Sequence, residues 1–275
     1  MNIPIKQSTY HKRFEDKYLL LPDTTELFFD QLQGKISEKE NAIVENIYFD
    51  CPKLSSYEDS VNKRENRLKL RLRQYERQFE TGDAFFEIKE RAGDIVNKKR
   101  LLVKKAWAFD FVNSGDLPIR KLLELNSHIK QADALETLEK LSDLIQLKAF
   151  RPVLKTRYKR TSYALNGDRA VRITLDQNLK FRSEHKEEHF LAPVSSSYKQ
   201  TVEKNREILE IKYLRSEDLF SLEDQIKALG SPQVFSKYCT GIYSTFGDND
   251  PVIGLDSLST ARLEGQYLDN ILASI

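Results

Sequence analysis

Arg67-Leu68-Lys69-Leu70-Arg71-Leu72-Arg73 alternates cation and leucine without a break. A β-strand turns successive side chains to opposite faces, so this stretch has one face of leucine and one of Lys and Arg. Like charges stacked on one face repel one another. Water, carboxylates or a polyanionic ligand must compensate them.

The pattern recurs along the chain. Arg13, Glu15 and Lys17 share a face opposite Phe14 and Tyr18. Glu87 shares one with Lys89, and Lys98 one with Arg100. Arg172, Thr174 and Asp176 lie opposite Val171, Ile173 and Leu175, and Glu210 and Lys212 opposite Leu209, Ile211 and Tyr213. Apolar residues behind each polar face fix the register. On a single strand such a face is ordinarily solvated, and ion pairs on it contribute little. Its repetition on five or more strands points instead to a shared lumen holding roughly ten cations and a few carboxylates. An open sheet needs an apolar face, whereas a barrel can carry charge inside when it holds a ligand.

The rest of the sequence supplies the scaffold. Strands are expected at 13–21, 43–50, 66–76, 84–91, 95–104, 152–165, 169–182 and 207–214. Asn166-Gly167 marks a hairpin between two of them. Helical periodicity appears after Pro22, in two helices over 117–148, over 216–229 and from Pro232 onward, with a short helical connection near 52–62. Residues 183–205 are polar and read as a loop. The expected fold is α+β: a closed antiparallel barrel, or tunnel, of about eight strands with helices packed outside. It forms a single domain over 1–275, with its core at about 10–245 and a tail over 246–275.

Composition narrows the partners. The 275 residues are 40% hydrophobic and 31% charged, with 44 basic against 42 acidic residues and a net charge of only +2. A nucleic-acid binder usually has a strongly basic balance, and aromatic residues are not interleaved with the basic faces as single-strand binding requires. If the cations converge, the acids must lie elsewhere. Two cysteines, Cys51 and Cys239, are too few for a disulfide framework and suit a reducing compartment. No apolar run approaches the ~18 residues of a membrane helix, and the N-terminus lacks a signal-peptide pattern. A soluble, cytoplasmic protein is expected.

Only a compact polyanion satisfies so many cations, and phosphate oxygens accept both Arg forks and Lys point charges. Carboxylates in such a site imply a divalent cation between them and the phosphates, Mn²⁺ or Mg²⁺ by their preference for oxygen. Glu210 leads the metal candidates, followed by Glu15, Glu87 and Asp176. Lys69, Lys98, Arg100 and Lys212 are further phosphate ligands. Tyr57 reads as a packing residue that could also reach a phosphate. His185-Lys186-Glu187-Glu188-His189 matches a zinc-protease spacing but sits in a polar stretch with no helical apolar face. No Gly-rich phosphate loop is present.

Several motifs in order carry a resemblance: Arg13-Phe14-Glu15-Asp16-Lys17-Tyr18, Tyr48-Phe49-Asp50, Leu70-Arg71-Leu72-Arg73, Phe86-Glu87-Ile88-Lys89, Lys98-Lys99-Arg100, Arg151-Pro152-Val153-Leu154 through Tyr158-Lys159-Arg160, Val171-Arg172-Ile173-Thr174-Leu175-Asp176, Leu209-Glu210-Ile211-Lys212 and Phe235-Ser236-Lys237-Tyr238. Over about residues 10–245 the chain resembles the VTC domain, the polyphosphate polymerase domain of the vacuolar transporter chaperone family, among the triphosphate tunnel metalloenzymes. The resemblance implies transfer of the γ-phosphate of ATP to a growing polyphosphate chain with Mn²⁺ or Mg²⁺. It assigns phosphate contacts to Lys17, Arg71, Arg73, Lys89, Lys98, Arg160, Arg172 and Lys237, and the metal to Glu210. Face parity alone would not select Arg160, opposite Lys155 and Arg157, or Lys237, on a helix. The cyclase and thiamine-triphosphatase branch carries Glu-x-Glu-x-Lys on its first strand. Here Arg13 replaces the first Glu, which favours the polymerase over a two-metal hydrolase. ATP and polyphosphate are the expected partners, nucleic acid is not, and export would need a separate membrane partner. A tunnel triphosphatase and a non-catalytic polyphosphate-binding module are the alternatives.

Overall fold

The computed structural model describes residues 14–93, 95–166, 170–183, 199–200 and 206–246. The strands are β1 (Phe14–Leu20), β2 (Ile36–Asp50), β3 (Asn66–Tyr75), β4 (Asp83–Ala92), β5 (Ile95–Lys104), β6 (Arg151–Leu165), β7 (Arg172–Ser183), β8 (Lys199–Gln200) and β9 (Glu207–Tyr213). The helices are α1 (Pro22–Asp30), α2 (Ser55–Val61), α3 (Lys105–Ser114), α4 (Ile119–Leu125), α5 (Gln131–Ser142), α6 (Glu223–Ala228) and α7 (Lys237–Phe246). The strands form one antiparallel sheet in the order β1-β9-β7-β6-β2-β3-β4-β5, with the short β8 beside β7.

The alternation read from residues 67–73 is realised. Leu70 and Leu72 are buried with Phe86 and Ile88 of β4 and Leu101 and Val103 of β5, under α3, α4 and α5. At the other edge, Tyr18 and Leu20 of β1, Ile173 and Leu175 of β7 and Leu209 and Ile211 of β9 pack under α1 and the turn that leads into α6. Burial of these outward faces by helices fixes which way the polar residues point.

A third cluster lies on the inner side. Tyr48, Leu154, Tyr158, Leu179 and Phe181 pack against Tyr238, Cys239 and Ile242 of α7 and against Leu54, Tyr57 and Val61 of α2 or its flank. A bulge makes this possible. Arg157 faces Lys180 but Lys159 faces Gln177, so β7 carries one extra residue. Asn178 within it has φ +53, a left-handed conformation that Asn tolerates. Before the bulge β7 turns Arg172, Thr174 and Asp176 inward, and after it Leu179 and Phe181. Gly241 lets α7 sit close: a Cβ there would lie 2.4 Å from Leu154 Cδ2 and 2.7 Å from Phe181 Cδ1.

Three expectations need correction. The barrel is not closed: among the described residues the hydrogen-bonded path starts at β1 and ends at β5, which do not pair. The sheet still curls: Lys17 of β1 and Lys69 of β3 reach the adjacent Phe235 carbonyl and Ser236 hydroxyl. Convergence of inner-face charges requires curvature, not a hydrogen-bonded seam, so the edge strands need not meet. Second, β2 begins at Ile36 rather than residue 43, and 105–114, for which no element was expected, forms α3. Third, the last helix starts at Lys237, not Pro232. The zinc-like His185–His189 stretch, Arg13 and the tail after 246 lie outside the described residues. No helix among the described residues is long and apolar enough to cross a membrane.

Candidate phosphate-binding channel

Cross-strand register brings the predicted residues onto one inner face. On β3, β4 and β5, Lys69 faces Lys89, which faces Lys98, and Arg71 faces Glu87, which faces Arg100. On the other wall Lys17 faces Glu210 and Glu15 faces Lys212, while Arg172 faces Lys212 and Thr174 faces Glu210. Arg160 faces Asp176 between the walls. Lys237 enters from α7 and lies 2.6 Å from Asp176. Lys17, Lys69, Arg71, Arg73, Lys89, Lys98, Arg100, Arg160, Arg172, Lys212 and Lys237 thus face Glu15, Glu87, Asp176 and Glu210: eleven cations against four carboxylates. The chain as a whole is only +2, so the excess is local.

The carboxylates are not equivalent. Glu87 is buried among four cations. Arg71 donates to it through Nε at 2.8 Å and Nη2 at 2.6 Å, Lys98 lies at 2.8 Å, Arg100 at 3.2 Å and Arg73 at 3.8 Å. Burial alone would raise its pKa, but these cations hold it well below the usual carboxylate range. Asp176 accepts a two-pronged pair from Arg160, both bonds at 2.6 Å, besides the Lys237 contact. Its pKa is also depressed against its burial.

Glu15 and Glu210 share Lys212, at 3.3 and 2.6 Å, and Lys17 sits 2.7 Å from Glu15. Burial and the Glu210 charge push the Glu15 pKa up, yet Lys17, Lys212 and Lys89 bring it down to about 2. Glu210 is lowered too, by Lys212, Arg160, Lys17 and Lys237 acting against burial. Among the described residues no three or more Asp, Glu, His or Cys converge as a metal cage. The predicted set of four metal carboxylates therefore differs in surroundings: Glu87 is enclosed by four cations on the β3–β5 wall, and Asp176 is held by Arg160 and Lys237, whose charges also act on Glu210. Glu15 and Glu210 remain as two neighbouring, mutually repelling carboxylates. That donor set fits a hard divalent cation that takes its other ligands from water and phosphate.

The cations are poised for an anion. Burial and the charges of Lys17, Lys212 and Lys69 outweigh Glu15 and lower the Lys89 pKa to about 8. Lys98 falls to about 8 for the same kind of reason, with Glu87 opposing. Among the described residues the Lys89 side chain has no ion-pair or hydrogen-bond partner. Arg172 bonds only the Ser162 hydroxyl there, at 3.2 Å.

A short segment ahead of α7 bridges β1 and β3 on this face. Gln233 N–H donates to the Lys17 carbonyl at 2.7 Å, Lys17 Nζ to the Phe235 carbonyl at 3.2 Å and Lys69 Nζ to Ser236 Oγ at 2.9 Å. The Tyr238 hydroxyl donates to Asp50 Oδ2 at 2.5 Å. Asp50 also accepts backbone N–H bonds from Cys51, Ser56 and Tyr57, so it ties α2 to α7 and holds the helix that carries Lys237.

Sequence reasoning overlooked two tyrosines. Tyr48 and Tyr158 are buried on the inner wall, with hydroxyls 3.4 Å from Arg71 Nη1 and Arg73 Nη2. The Arg160 and Lys237 charges lie 5.4 and 5.0 Å from the Tyr158 ring centroid. The available signal was cross-strand parity, since Tyr48 faces Arg71 and Asn46 faces Arg73. Tyr57 is not on this face. It is buried in the apolar cluster, edge-on to Tyr238 at 6.4 Å, and its phenol is raised by that burial. Lys155 and Arg157 point outward and pair with Glu45 at 3.4 and 2.6 Å, which is why their parity misleads about Arg160.

The VTC domain profile matches residues 6–246. Subunit 4 of the vacuolar transporter chaperone complex of Schizosaccharomyces pombe is 29% identical over 150 residues, covering 51% of this chain and 21% of that protein. Subunit 2 of the same complex in Saccharomyces cerevisiae is 27% identical over 154 residues, covering 52% and 19%. The match thus spans about a fifth of these relatives' length. Among solved structures, one from Bacillus halodurans is 15% identical with a TM-score of 0.46, covering 81% of this chain and 91% of that one.

Proposed function

The chain belongs to the VTC domain family, and from that premise we propose that it is a metal-dependent polyphosphate polymerase that transfers the γ-phosphoryl group of ATP to the end of a polyphosphate chain. The observation that carries this reading is the gathering of eleven cations and four carboxylates from separate strands and one helix onto a single inner face. No ordinary structural need explains so much like charge in one place; linked phosphoryl groups would neutralise it.

Arg71, Arg73, Arg160 and Lys237 grip the triphosphate, with Lys69, Lys89 and Lys98 along one side and Lys17, Arg172 and Lys212 along the other. Glu15 and Glu210 would hold Mn²⁺ or Mg²⁺, which supplies charge neutralisation at the transferring phosphoryl group. The attacking atom is a terminal oxygen of the acceptor chain, already anionic at neutral pH. A new P–O bond forms to the γ-phosphorus while the bridge to the β-phosphate breaks, and ADP leaves with the electron pair. No strong base is required. The cations reduce the repulsion between two anions and hold them in line, which is where most catalysis of such a transfer arises. The Tyr48 and Tyr158 hydroxyls can donate to phosphoryl oxygens as the arginines shift toward substrate. ATP as donor fits a cytoplasmic site, with a separate membrane partner receiving the chain.

Incubation with ATP and Mn²⁺ tests the proposal. Long polyphosphate resolved on a gel, with ADP formed in step, is the expected product. Free phosphate alone would make the chain a triphosphatase, and binding without ATP consumption would make it a polyphosphate-binding module.

A further inference from the structure

The inner row of β3 runs Arg67, which lies beyond the group of eleven, then Lys69, Arg71, Arg73 and Tyr75. Four cations are followed by an aromatic ring. The cross-strand neighbour of Arg73 on β4 is also aromatic, Phe85. Guanidinium groups gather on these two rings. Arg100 lies 3.5 Å from the Phe85 ring centroid and 5.9 Å from that of Tyr75, with Arg73 at 5.9 Å and Arg77 at 5.7 Å from Tyr75. Among the described residues Arg77 has a carboxylate only at a loose 3.7 Å, Glu40, and its side chain is 58% exposed. The opposite end of the same row has a different chemistry. Arg67 faces Arg91, Lys69 faces Lys89 and Lys89 faces Lys98, all cations.

A phosphate chain gains nothing from a flat ring, whereas a nucleobase does, because bases stack on aromatic side chains and on guanidinium planes. The five residues from Arg71 to Tyr75 span ~13 Å of strand, a reach suited to an extended nucleoside triphosphate. We propose that Tyr75, Phe85, Arg77 and Arg100 form a nucleobase subsite, so that the channel is polar: nucleoside at the Tyr75 end, phosphate chain toward Lys69, Lys89 and Arg67.

This inference rests on the reading of the channel as a site for a nucleoside triphosphate. Titration calorimetry with ATP and with inorganic tripolyphosphate, both with Mn²⁺, separates the two. Tyr75→Ala should weaken ATP about tenfold and leave tripolyphosphate within twofold, and that retained binding also reports that the variant is folded. Tyr75→Phe, which keeps the ring, should keep the ATP affinity. Equal losses for both ligands, or no loss for either, would overturn the subsite while leaving the channel intact. A wild-type protein that binds neither ligand would overturn the subsite and the underlying reading together.

Discussion

The two walls of the channel are built from the same alternating pattern and hold their carboxylates differently. On the wall of β3, β4 and β5, one carboxylate, Glu87, is enclosed by Arg71, Arg73, Lys98 and Arg100. It acts as an internal counterion that lets like-charged side chains pack, and it leaves a surplus of positive charge for a ligand. On the wall of β1 and β9, Glu15 and Glu210 lie next to one another and raise each other's cost of ionisation, with Lys17 and Lys212 offsetting it. The first arrangement suits an anion, and the second a cation brought in with that anion. Alternation sets which face a side chain takes, but the neighbours across the strand decide what it can do.

The largest effect that would separate the walls is on turnover. Glu210→Gln should lower polymerase turnover at least about 100-fold; its carboxylate is also buried among Lys212, Arg160, Lys17 and Lys237, so the melting temperature should fall too, and retained tripolyphosphate binding reports that the variant is folded. Near-normal turnover would remove Glu210 from the metal role. Next, Arg71→Ala removes a charged, two-pronged donor and should weaken tripolyphosphate about 10- to 100-fold, whereas Arg157→Ala on the outer face should leave it unchanged. Calorimetry showing similar losses for both would place the anion outside the channel.

Glu87→Gln should instead act on stability. Removing one partner of a buried ionic cluster leaves its cations uncompensated, and the melting temperature should fall by about 10 °C, recovering when tripolyphosphate is added. The Glu87 pKa is depressed in the fold, so its contribution is fully present above the unfolded value of about 4.3 and is lost as pH falls toward the folded value. The acid limb of a stability–pH profile should therefore flatten in the variant. An unchanged melting temperature and profile would mean that Glu87 is no counterion.

The smallest effect is on binding above neutral pH. With Lys89 and Lys98 near 8, tripolyphosphate affinity should fall several-fold as pH rises from about 7.5 to 9, and binding in that range should take up protons. The empty fold should move the other way, gaining stability between about pH 8 and the unfolded lysine value of about 10.4, because the unfolded chain there binds more protons. Lys89→Met with Lys98→Met should flatten both trends.

Much of this was legible in the alternation itself. Lys69, Arg71 and Arg73, Glu87 and Lys89, Arg172 and Asp176, and Glu210 and Lys212 all point where their parity predicts, because leucine, isoleucine and phenylalanine behind them are buried by helices. Three things were not legible. Strand order decides that Glu87 meets four cations while Glu210 meets Glu15, and alternation carries no information about order. The bulge at Asn178 reverses the parity of β7 midway, so the strand lines the site at Asp176 and packs α7 at Phe181. Lys237 reaches the site only because Gly241 lets α7 approach Leu154 and Phe181, a tertiary contact with no periodic signature. Closure of the barrel was over-read, since charge convergence requires curvature but not a paired seam.

The most direct test of the central claim is a crystal structure with tripolyphosphate and Mn²⁺, using the anomalous signal to locate the metal. The account predicts phosphoryl groups between Arg71, Arg160 and Lys237, with manganese against Glu210 and Glu15. Tripolyphosphate on the outer face near Lys155 and Arg157, or manganese at Glu87, would contradict it.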